Sequence, residues 1–519
     1  MSKHRPARLP TVNPRAHAPW LARAVILAAI NVAVTATAHA ADYYVAANGK
    51  DSSPGTISSP WKSIQYAANR VQAGDTVNIR GGTYVESITL KSSGSASQGY
   101  ITFQAYADEK PIISGKKLAV SEEQGLINII DQSYIKIVGL EISDYTTAAL
   151  EVTPIGILIS GQGRAIRIQK NHIHHISSTA KPGPSGDCNG SDPQAHGILI
   201  SGDNETSPLV DLKIEENELD RLTLGCSEAL AINGNVMTWE VTNNKIHHND
   251  NIGIDAIGFE DDKHVIQARD GKITGNEVYN ITTSNNPAYG NKRSAAGIYC
   301  DGCTGVLIEG NKIYNSDYGV EIASEHKDHF SSKITVRNNL IYGNALSGLT
   351  IGGSDKDKTG GADSCTFVNN SFYGNNTSGK EAEFQIQNYA KNNIFENNIV
   401  HAGPKSRFII GATTTSAVPA ADGNLYFSST AAAGSGVWTV NNVTYTGFDK
   451  YRDGTKQEKS SSFADPQYRD PSNDDLQVAK TSPAVDQGLI VSEDIVGTKD
   501  FAGAARVQGK RIDIGAYEQ

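Results

Sequence analysis

The chain has 519 residues, with 46 Lys and Arg against 56 Asp and Glu, so its formal net charge at pH 7 is −10. Nucleic-acid binding needs a basic surface, and this composition excludes it as a general activity of the chain. The same negative charge would repel a polyanionic polymer unless a local basic patch or a bound cation intervened.

The first forty residues predict a secretory signal peptide. Five basic residues and no acidic ones precede an almost wholly apolar stretch at residues 24–38, and Ala38-His39-Ala40 matches an A-x-A cleavage site before Ala41. The apolar stretch is too short to span a bilayer, and no later stretch is suited to do so. Without this segment, 479 residues carry a net charge of −15. We therefore expect a secreted or periplasmic, monomeric protein with no membrane span.

Residues 41–115 are predicted to form an N-terminal cap and the first coils of a repeat structure. The segment Ser63 to Val71 reads as one short amphipathic helix, followed by the strand-like Thr76-Val-Asn-Ile-Arg and then Gly82-Thr-Tyr. The end of a repeat structure exposes its core and its unpaired strand edges, so it needs a cover. This helix is our candidate for that N-terminal cap.

Residues 116–425 contain a recurring phrase: Asn, any residue, an apolar residue, and often His or Tyr. Successive copies are 46, 27, 32, 35, 28, 31 and 28 residues apart. A short alternating strand precedes each Asn, and a second, usually led by Gly, follows it. The Asn positions are 171, 217, 244, 276, 311, 339, 370 and 398.

Parallel strands without intervening helices, repeating about every 30 residues, predict a β-helix. Asn at a repeated corner fits this fold, because amides one coil apart can bond each other along the stack. A propeller would instead show four strands and hairpin turns in each repeat. The repeat fades after residue 425, so residues 426–519 are predicted to form the last coils and an irregular C-terminal cap.

The opening Tyr43-Tyr-Val-Ala with Gly74-Asp-Thr-Val-Asn-Ile-Arg-Gly-Gly-Thr-Tyr, the N-x-I repeats and the closing Arg511-Ile-Asp-Ile-Gly-Ala-Tyr-Glu resemble the pectin-lyase-like superfamily of secreted proteins. The resemblance covers nearly all of the chain after residue 40. It implies an all-β fold, a single-stranded right-handed parallel β-helix with a helical N-terminal cap. It is weak for the reaction, because the superfamily includes lyases, hydrolases, epimerases and phage tail fibres.

Aligning the Gly-led strands predicts one outward column of side chains and a second column two residues further on. The first contains Asp255, Tyr299 and Glu321, and the second contains Asp301. Glu325, His326 and Lys327 follow in a turn beside this face, His196 opens a strand on it, and Arg293 lies in a nearby insertion. The insertions at residues 178–195 and 281–295 are predicted to wall a groove, with Cys188 and Cys226 as candidates for a disulfide that holds the first of them.

Stacked coils lie about 4.8 Å apart, so the carboxyl groups of Asp301 and Glu321 are expected roughly 5–7 Å from each other. Such a pair suits glycosidic hydrolysis of a polysaccharide, because mutual repulsion raises one pKa and supplies a proton donor beside an ionised partner. Tyr299 would stack on or hydrogen-bond to a sugar, and His326 would orient a carboxylate or bind substrate. This chemistry requires no cofactor.

The stretch from Gly297 to His326 also resembles the catalytic region of β-helical β-xylosidases. In those enzymes an Asp nucleophile and a Glu acid lie on successive coils, with a His shortly after. The resemblance implies that Asp301 is the nucleophile and Glu321 the general acid and base, with Glu325 and His326 beside them. It covers about thirty residues, and its Gly and Asn positions belong to the scaffold.

Three other interpretations stay open. A lyase would use Asp255, Asp301 and Glu321 to hold Ca²⁺, with Lys327, Lys292 or Arg293 as the base. Calcium-dependent β-helix pectate lyases place a Lys in the phrase G-F-K-L-G-G, where this chain has Gly348-Leu-Thr-Ile-Gly-Gly. A non-catalytic glycan-binding or adhesin solenoid would show more exposed aromatic residues on one column. The outward acids of an acidic chain could also form a merely solvated face.

Overall fold

A computed structural model describes residues 40–183, 186, 188, 192–260, 266–403, 405, 407–411 and 413–519. Residues 40–519 form one compact unit, and the predicted signal peptide lies outside the described residues except for Ala40. Within the described ranges, no helix is both long enough and apolar enough to cross a membrane.

Three long sheets, which we name A, B and C in the order in which each coil of the chain visits them, make up the fold. Sheet A consists of Asp42–Val45, Thr76–Ile79, Ile101–Ala105, Ile135–Val138, Gly163–Gln169, Leu209–Glu215, Val236–Thr242, Lys272–Thr274, Leu307–Glu309, Thr335–Arg337, Thr366–Val368, Ile394–Glu396 and Ala420–Asp422. Sheet B consists of Gly82–Tyr84, Pro111–Ser114, Glu141–Thr147, His172–Ser178, Glu218–Asp220, Lys245–Asn249, Glu277–Ile281, Lys312–Tyr314, Leu340–Tyr342, Ser371–Tyr373, Ile399–Ala402, Leu425–Ser428 and Ser462–Phe463. Sheet C consists of Ile88–Thr89, Glu123–Ile130, Thr153–Ser160, His196–Gly202, Leu230–Gly234, Ile254–Ile257, Ala296–Asp301, Tyr318–Ala323, Ser347–Ile351, Phe384–Ile386, Arg407–Gly411, Val437–Val440 and Val443–Thr446.

The remaining elements are short. Strands Phe330–Ser332, Gly361–Asp363 and Ala390–Lys391 form a small parallel sheet, and Tyr468–Asp470 pairs with Asp475–Val478 in antiparallel fashion. The α-helices span Ile64–Ala68, Phe448–Thr455 and Glu493–Val496, and the 3₁₀ helices span Pro287–Tyr289 and Pro471–Asn473.

Each full coil contributes three strands to the fold, and the predicted parallel β-helix is confirmed. The sequence pattern indicates only two of these strands per repeat, because the middle strand is the N-x-I phrase itself. In Lys312–Tyr314, for example, only Ile313 is buried, while its neighbours are partly exposed. Three residues with one inward side chain give too little alternation to stand out as a strand.

A ladder of buried Asn side chains fixes the corner between sheets A and B. The Asn276 amide nitrogen Nδ2 donates to Asn311 Oδ1 over 3.0 Å, and the backbone N–H of Asn276 donates to the same oxygen over 2.9 Å. The pattern repeats from Asn171 up the stack to Asn424. Both the amide and the backbone of each Asn are thereby satisfied without water, as buried polar groups require.

The glycines that lead the sheet C strands allow the coils to approach closely. A Cβ atom on Gly319 would lie 2.4 Å from the carbonyl oxygen of Gly348 on the next coil, and one on Gly253 would lie 2.5 Å from that of Gly297. Any larger residue would push these coils apart. The repeated Gly therefore sets the spacing on which the outward columns of sheet C depend.

The core is a continuous stack of inward Ile, Leu, Val and Phe side chains inside the three sheets. The helix Ile64–Ala68 packs against this core with Ile64, Ala67 and Ala68 buried, and the hydroxyl of its N-cap residue Ser63 accepts from the backbone N–H of Tyr66. Near the C-terminus, Leu476, Ala516 and Tyr517 pack on the outer face of sheet B against Leu340 and Tyr342.

Candidate active site

The strand register of sheet C produces the outward column that the sequence predicted. Ala231 pairs with Asp255, Asp255 with Tyr299, Tyr299 with Glu321, and Glu321 with Thr350 on successive coils. Asp301 pairs with Ala323, so it lies two residues further along the strand, diagonal to both Asp255 and Glu321. Three acids and one tyrosine therefore share a face of three adjacent coils.

A cavity of about 370 Å³ opens on this face. Asp255 and Asp301 form part of its floor and are only 3% and 4% exposed. The other side chains that line it are Glu123, Cys188, Gln194, His196, Leu199, Ser201, Cys226, Ser227, Glu228, Ala231, Asn233, Ile252, Ile257, Glu260, Tyr289 and Glu325.

Both predicted insertions contribute to the cavity wall. Cys188 and Gln194 come from the first insertion, and a disulfide joins Cys188 to Cys226 on the body of the helix. Tyr289 comes from the second, where its hydroxyl accepts a 3.3 Å hydrogen bond from the Asn251 amide. The backbone N–H of Cys188 also donates to the carbonyl of Ala288, so the two insertions contact each other directly.

Asp255 and Asp301 have different surroundings. Burial and the nearby negative charges of Glu228 and Asp301 raise the pKa of Asp255 well above its usual value, and its Oδ1 has no hydrogen-bond partner among the residues that the structure describes. Burial and Glu325 also raise the pKa of Asp301, but the backbone N–H of Glu325 donates to Asp301 Oδ1 over 2.6 Å and opposes that shift. Asp255 is therefore better suited to hold a proton, and Asp301 to be ionised.

Glu321 and Tyr299 lie beside the cavity but are not among the residues that line it. Glu321 is half-buried, and burial together with the charge of Glu325 raises its pKa to about 8. Tyr299 is buried between Asp255 and Glu321 in the column, which leaves little of its ring for stacking on a sugar. Of the two acids that flank Asp301 in the column, Asp255 and Glu321, only Asp255 lines the cavity with it.

The predicted site residues at the rim differ in their placement. Glu325 lines the cavity and is exposed, whereas Lys327 is exposed and is not among the lining residues. His326 is partly exposed, with Nε2 lying 3.4 Å from Glu260 Oε1. Arg293 does not line the cavity either. Its guanidinium forms a 2.6 Å ion pair with the buried Asp317. This ion pair gives Arg293 a structural role.

His196 lines the cavity as expected, and it contacts a residue that sequence analysis missed. Its Nδ1 lies 3.1 Å from the carbonyl oxygen of Glu228 and 3.5 Å from the Glu228 carboxyl. Burial lowers the pKa of His196 to about 4, and burial with the charges of Glu325 and Glu260 raises the pKa of Glu228 to about 8. The signal for Glu228 was its register. It lies two residues before Leu230, and His196 lies two residues before Ile198, the residue that pairs with Leu230.

Among the described residues, the side chains that come within coordinating distance of one another are Glu260, Asp301 and His326, whose donor atoms all lie within 4.8 Å. The predicted calcium set of Asp255, Asp301 and Glu321 shares only Asp301 with this group. Calcium prefers six to eight oxygen ligands. Two carboxylates and one imidazole fit it poorly and suit a transition metal ion better.

Comparison with known proteins identifies the class. The sequence profile described as "Right handed beta helix region" matches residues 127–446, and one described as "Pel9A-like, right handed beta helix region" matches residues 43–183. The chain therefore belongs to the family of right-handed β-helix proteins, and its resemblance to the pectin-lyase-like superfamily is confirmed.

Within that class, the chain is 38% identical over 448 residues to "Uncharacterized protein YwoF" of Bacillus subtilis (strain 168), which covers 85% of this chain and 92% of that protein. It is 36% identical over 115 residues to "Pectate lyase PEL9" of Emericella nidulans, covering 20% and 28% respectively. The native structure of a GH136 lacto-N-biosidase from Eubacterium ramulus has a TM-score of 0.51 at 14% identity, and this chain spans 64% of its length. That last likeness concerns the fold alone.

Proposed function

We propose that this protein is an exported carbohydrate-active enzyme that hydrolyses glycosidic bonds of a polysaccharide, with Asp255 and Asp301 as its catalytic pair. The observation that carries the proposal is the floor of the cavity, where two buried carboxyls have opposite hydrogen-bonding environments. Most glycosidases use two carboxyl groups in different protonation states as their catalytic residues. The similarity of one segment to a pectate lyase supports a carbohydrate substrate in general.

In the proposed reaction, Asp255 donates its proton to the glycosidic oxygen as the bond to the anomeric carbon breaks. Asp301 attacks that carbon and forms a glycosyl ester, the role that the resemblance to β-xylosidases implied for this residue. Asp255, now ionised, then removes a proton from a water molecule, which attacks the ester and restores both carboxyls. We assign the role of general acid to Asp255 rather than to Glu321, for which the resemblance to β-xylosidases implied it, because only Asp255 of these two lines the cavity with Asp301.

The test is a panel of polysaccharides assayed for new reducing ends, with ultraviolet absorbance of unsaturated uronates followed in parallel. On the substrate that is cut, Asp301→Asn and Asp255→Asn should each lower kcat by about 10²- to 10⁴-fold, the usual contribution of such groups. Glu321→Gln should retain most activity. Asp108→Asn, an exposed turn residue, is the matched control. Full activity in Asp255→Asn with loss in Glu321→Gln would return the role of acid to Glu321.

Cation-assisted β-elimination is the second candidate, favoured by the Glu260, Asp301 and His326 group and by the segment similar to a pectate lyase. Elimination needs a base and a positive group beside the uronate carboxylate. The cavity lining, as far as the structure describes it, includes no Lys or Arg, which ranks this reaction below hydrolysis. Absorbance that rises during digestion and stops on adding a chelator would reverse the ranking.

Export is the remaining part of the proposal. It depends on the sequence of residues 1–40, and the disulfide between Cys188 and Cys226 fits an oxidising compartment. N-terminal sequencing of the protein recovered from outside the cytoplasm should begin at Ala41. Recovery of the whole chain in the cytoplasm, beginning at Met1, would contradict export and leave the chemistry untouched.

A further inference from the structure

Three side chains with metal-binding donor atoms lie at the C-terminal ends of three consecutive sheet C strands. Asp301 is the last residue of its strand, and Glu260 and His326 each lie three residues beyond theirs. Because parallel strands end at the same edge of a sheet, the three side chains converge, and one donor atom of each lies within 4.8 Å of the other two. Two carboxylates and one imidazole therefore meet at the edge of the cavity that contains the proposed catalytic pair.

The two loops that carry Glu260 and His326 pack against each other. The ring of Phe259, next to Glu260, stacks on the ring of His329 with 4.2 Å between the centroids and 13° between the planes. The backbone N–H of His329 donates to the carbonyl of His326 over 3.1 Å, and the backbone N–H of His326 donates to Ser324 Oγ over 3.3 Å. These contacts hold both side chains in position, as a preorganised set of ligands requires.

The distance between Glu260 and His326 fits two ligands of one ion better than a direct hydrogen bond. Glu260 Oε1 and His326 Nε2 lie 3.4 Å apart, and a normal N–H···O bond measures about 2.7–3.2 Å. Two ligands that are each about 2.0–2.1 Å from a shared tetrahedral ion lie about 3.3 Å from each other. On sheet B, by contrast, the contact between His172 and Asp220 is a direct bond of 2.7 Å.

Asp301 contributes a buried oxygen that the rest of the protein leaves unpaired. The residue is 4% exposed, and its Oδ1 accepts the backbone N–H of Glu325 over 2.6 Å. Its Oδ2 has no hydrogen-bond partner within the part of the chain that the structure describes. A hydrogen bond to one oxygen orients a carboxylate that coordinates a metal through the other. The carboxylate lies beside Glu260 and His326, so a cation bound there would pair this oxygen.

We infer that Glu260, Asp301 and His326 bind a divalent transition metal ion such as Zn²⁺, and that the bound ion inhibits cleavage by occupying Asp301. The inference rests on the proposed function, because an ion on Asp301 blocks the reaction only if this residue is the nucleophile. Three nitrogen and oxygen ligands with one open position form a set that Zn²⁺ accepts, whereas Ca²⁺ prefers six to eight oxygens. The ionised carboxylate that would attack the sugar is also the form that binds the ion, so the ion and the substrate compete.

The first experiment measures binding. ZnCl₂ is titrated by calorimetry into the full exported chain, after treatment with a chelator and dialysis. Zn²⁺ binding should weaken at least about tenfold in His326→Ala and in Asp301→Asn, and an about hundredfold excess of Ca²⁺ should not displace the ion. His247→Ala is the matched control, because it removes another histidine in contact with a carboxylate, 3.0 Å from Glu218 on sheet B. Unchanged binding in both site variants, or a loss only in His247→Ala, would overturn the inference.

The second experiment measures cleavage of the substrate found with the polysaccharide panel. Zn²⁺ should raise KM without lowering kcat, and a chelator should reverse the effect. In Glu260→Gln the same rise in KM should need at least about tenfold more Zn²⁺. Equal inhibition of Glu260→Gln and the unchanged protein, or activity that increases with Zn²⁺, would overturn the inference. Because calorimetry reads binding without turnover, failure of the metal site is distinguishable from retained cleavage in Asp301→Asn, which would contradict the proposed function.

Discussion

Substituting Asn276 by Ala should destabilise the coil that carries Asp301. The Asn276 side chain takes part in four buried hydrogen bonds. Its Oδ1 accepts from the backbone N–H and from Nδ2 of Asn244 at 2.9 and 3.0 Å, and its own Nδ2 donates to the Val241 carbonyl and to Asn311 Oδ1 at 2.9 and 3.0 Å. At about 1 kcal/mol for each bond, the loss is about 4 kcal/mol, because no water can replace the amide.

The assay is urea unfolding followed by circular dichroism, together with hydrogen exchange at the backbone amide of Asn244, which should lose its protection. Asn315→Gly is the control. Asn315 is exposed with φ near +53°, a conformation that Gly adopts freely, so the change should cost less than about 0.5 kcal/mol. If Asn276→Ala lowers the free energy of unfolding by less than about 1 kcal/mol, the ladder does not hold the coils as described.

Three further predictions concern the site and its walls. The folded-state pKa of Glu321, about 8, lies above that of an unfolded Glu, so ionisation of this side chain destabilises the fold as pH rises. Glu321→Gln should therefore raise the Tm at pH 8 and leave it nearly unchanged at pH 4. Equal Tm differences at both pH values would contradict this. Arg293→Ala should lower stability by about 1 kcal/mol through the loss of its pair with Asp317, without changing KM, whereas a large rise in KM would restore its predicted role in substrate binding. Reduction of the disulfide between Cys188 and Cys226 should raise KM more than it lowers kcat while circular dichroism stays native, and unchanged kinetics would show that the wall does not contact substrate.

Most of the fold could be predicted from the sequence, because each coil of a β-helix needs the same residue types at the same positions. The corner Asn and the leading Gly each have one physical reason to recur, the first as a hydrogen-bond ladder and the second as room for close stacking. The middle strand of each coil escaped detection because three residues with one buried side chain, as in Lys312–Tyr314, do not make a recognisable period.

The site was predictable only in part. The outward column from Ala231 to Thr350 follows from counting residues after Gly, and the register agrees with it. Which acids share a cavity depends on where the insertions lie. The insertions do not follow the Asn and Gly repeat, so their positions cannot be predicted by counting along it. Glu228 and Glu260 both line the cavity, and neither is among the site residues predicted from the sequence. Arg293 was expected to bind substrate, but it pairs with Asp317 instead. That pair joins residues from different coils, so no sequence pattern reveals it.

The Asn ladder has a consequence for how such a protein diversifies. The step from Asn171 to Asn217 spans 46 residues and the next, to Asn244, spans 27, yet the amide contacts are 3.0 and 2.9 Å. The ladder keeps this corner constant. The additional residues of a longer coil form loops at the other corners and do not change the strand register. Exchanging the loop at residues 178–195 for one of different length is thus a route to grafting new specificities onto an unchanged frame.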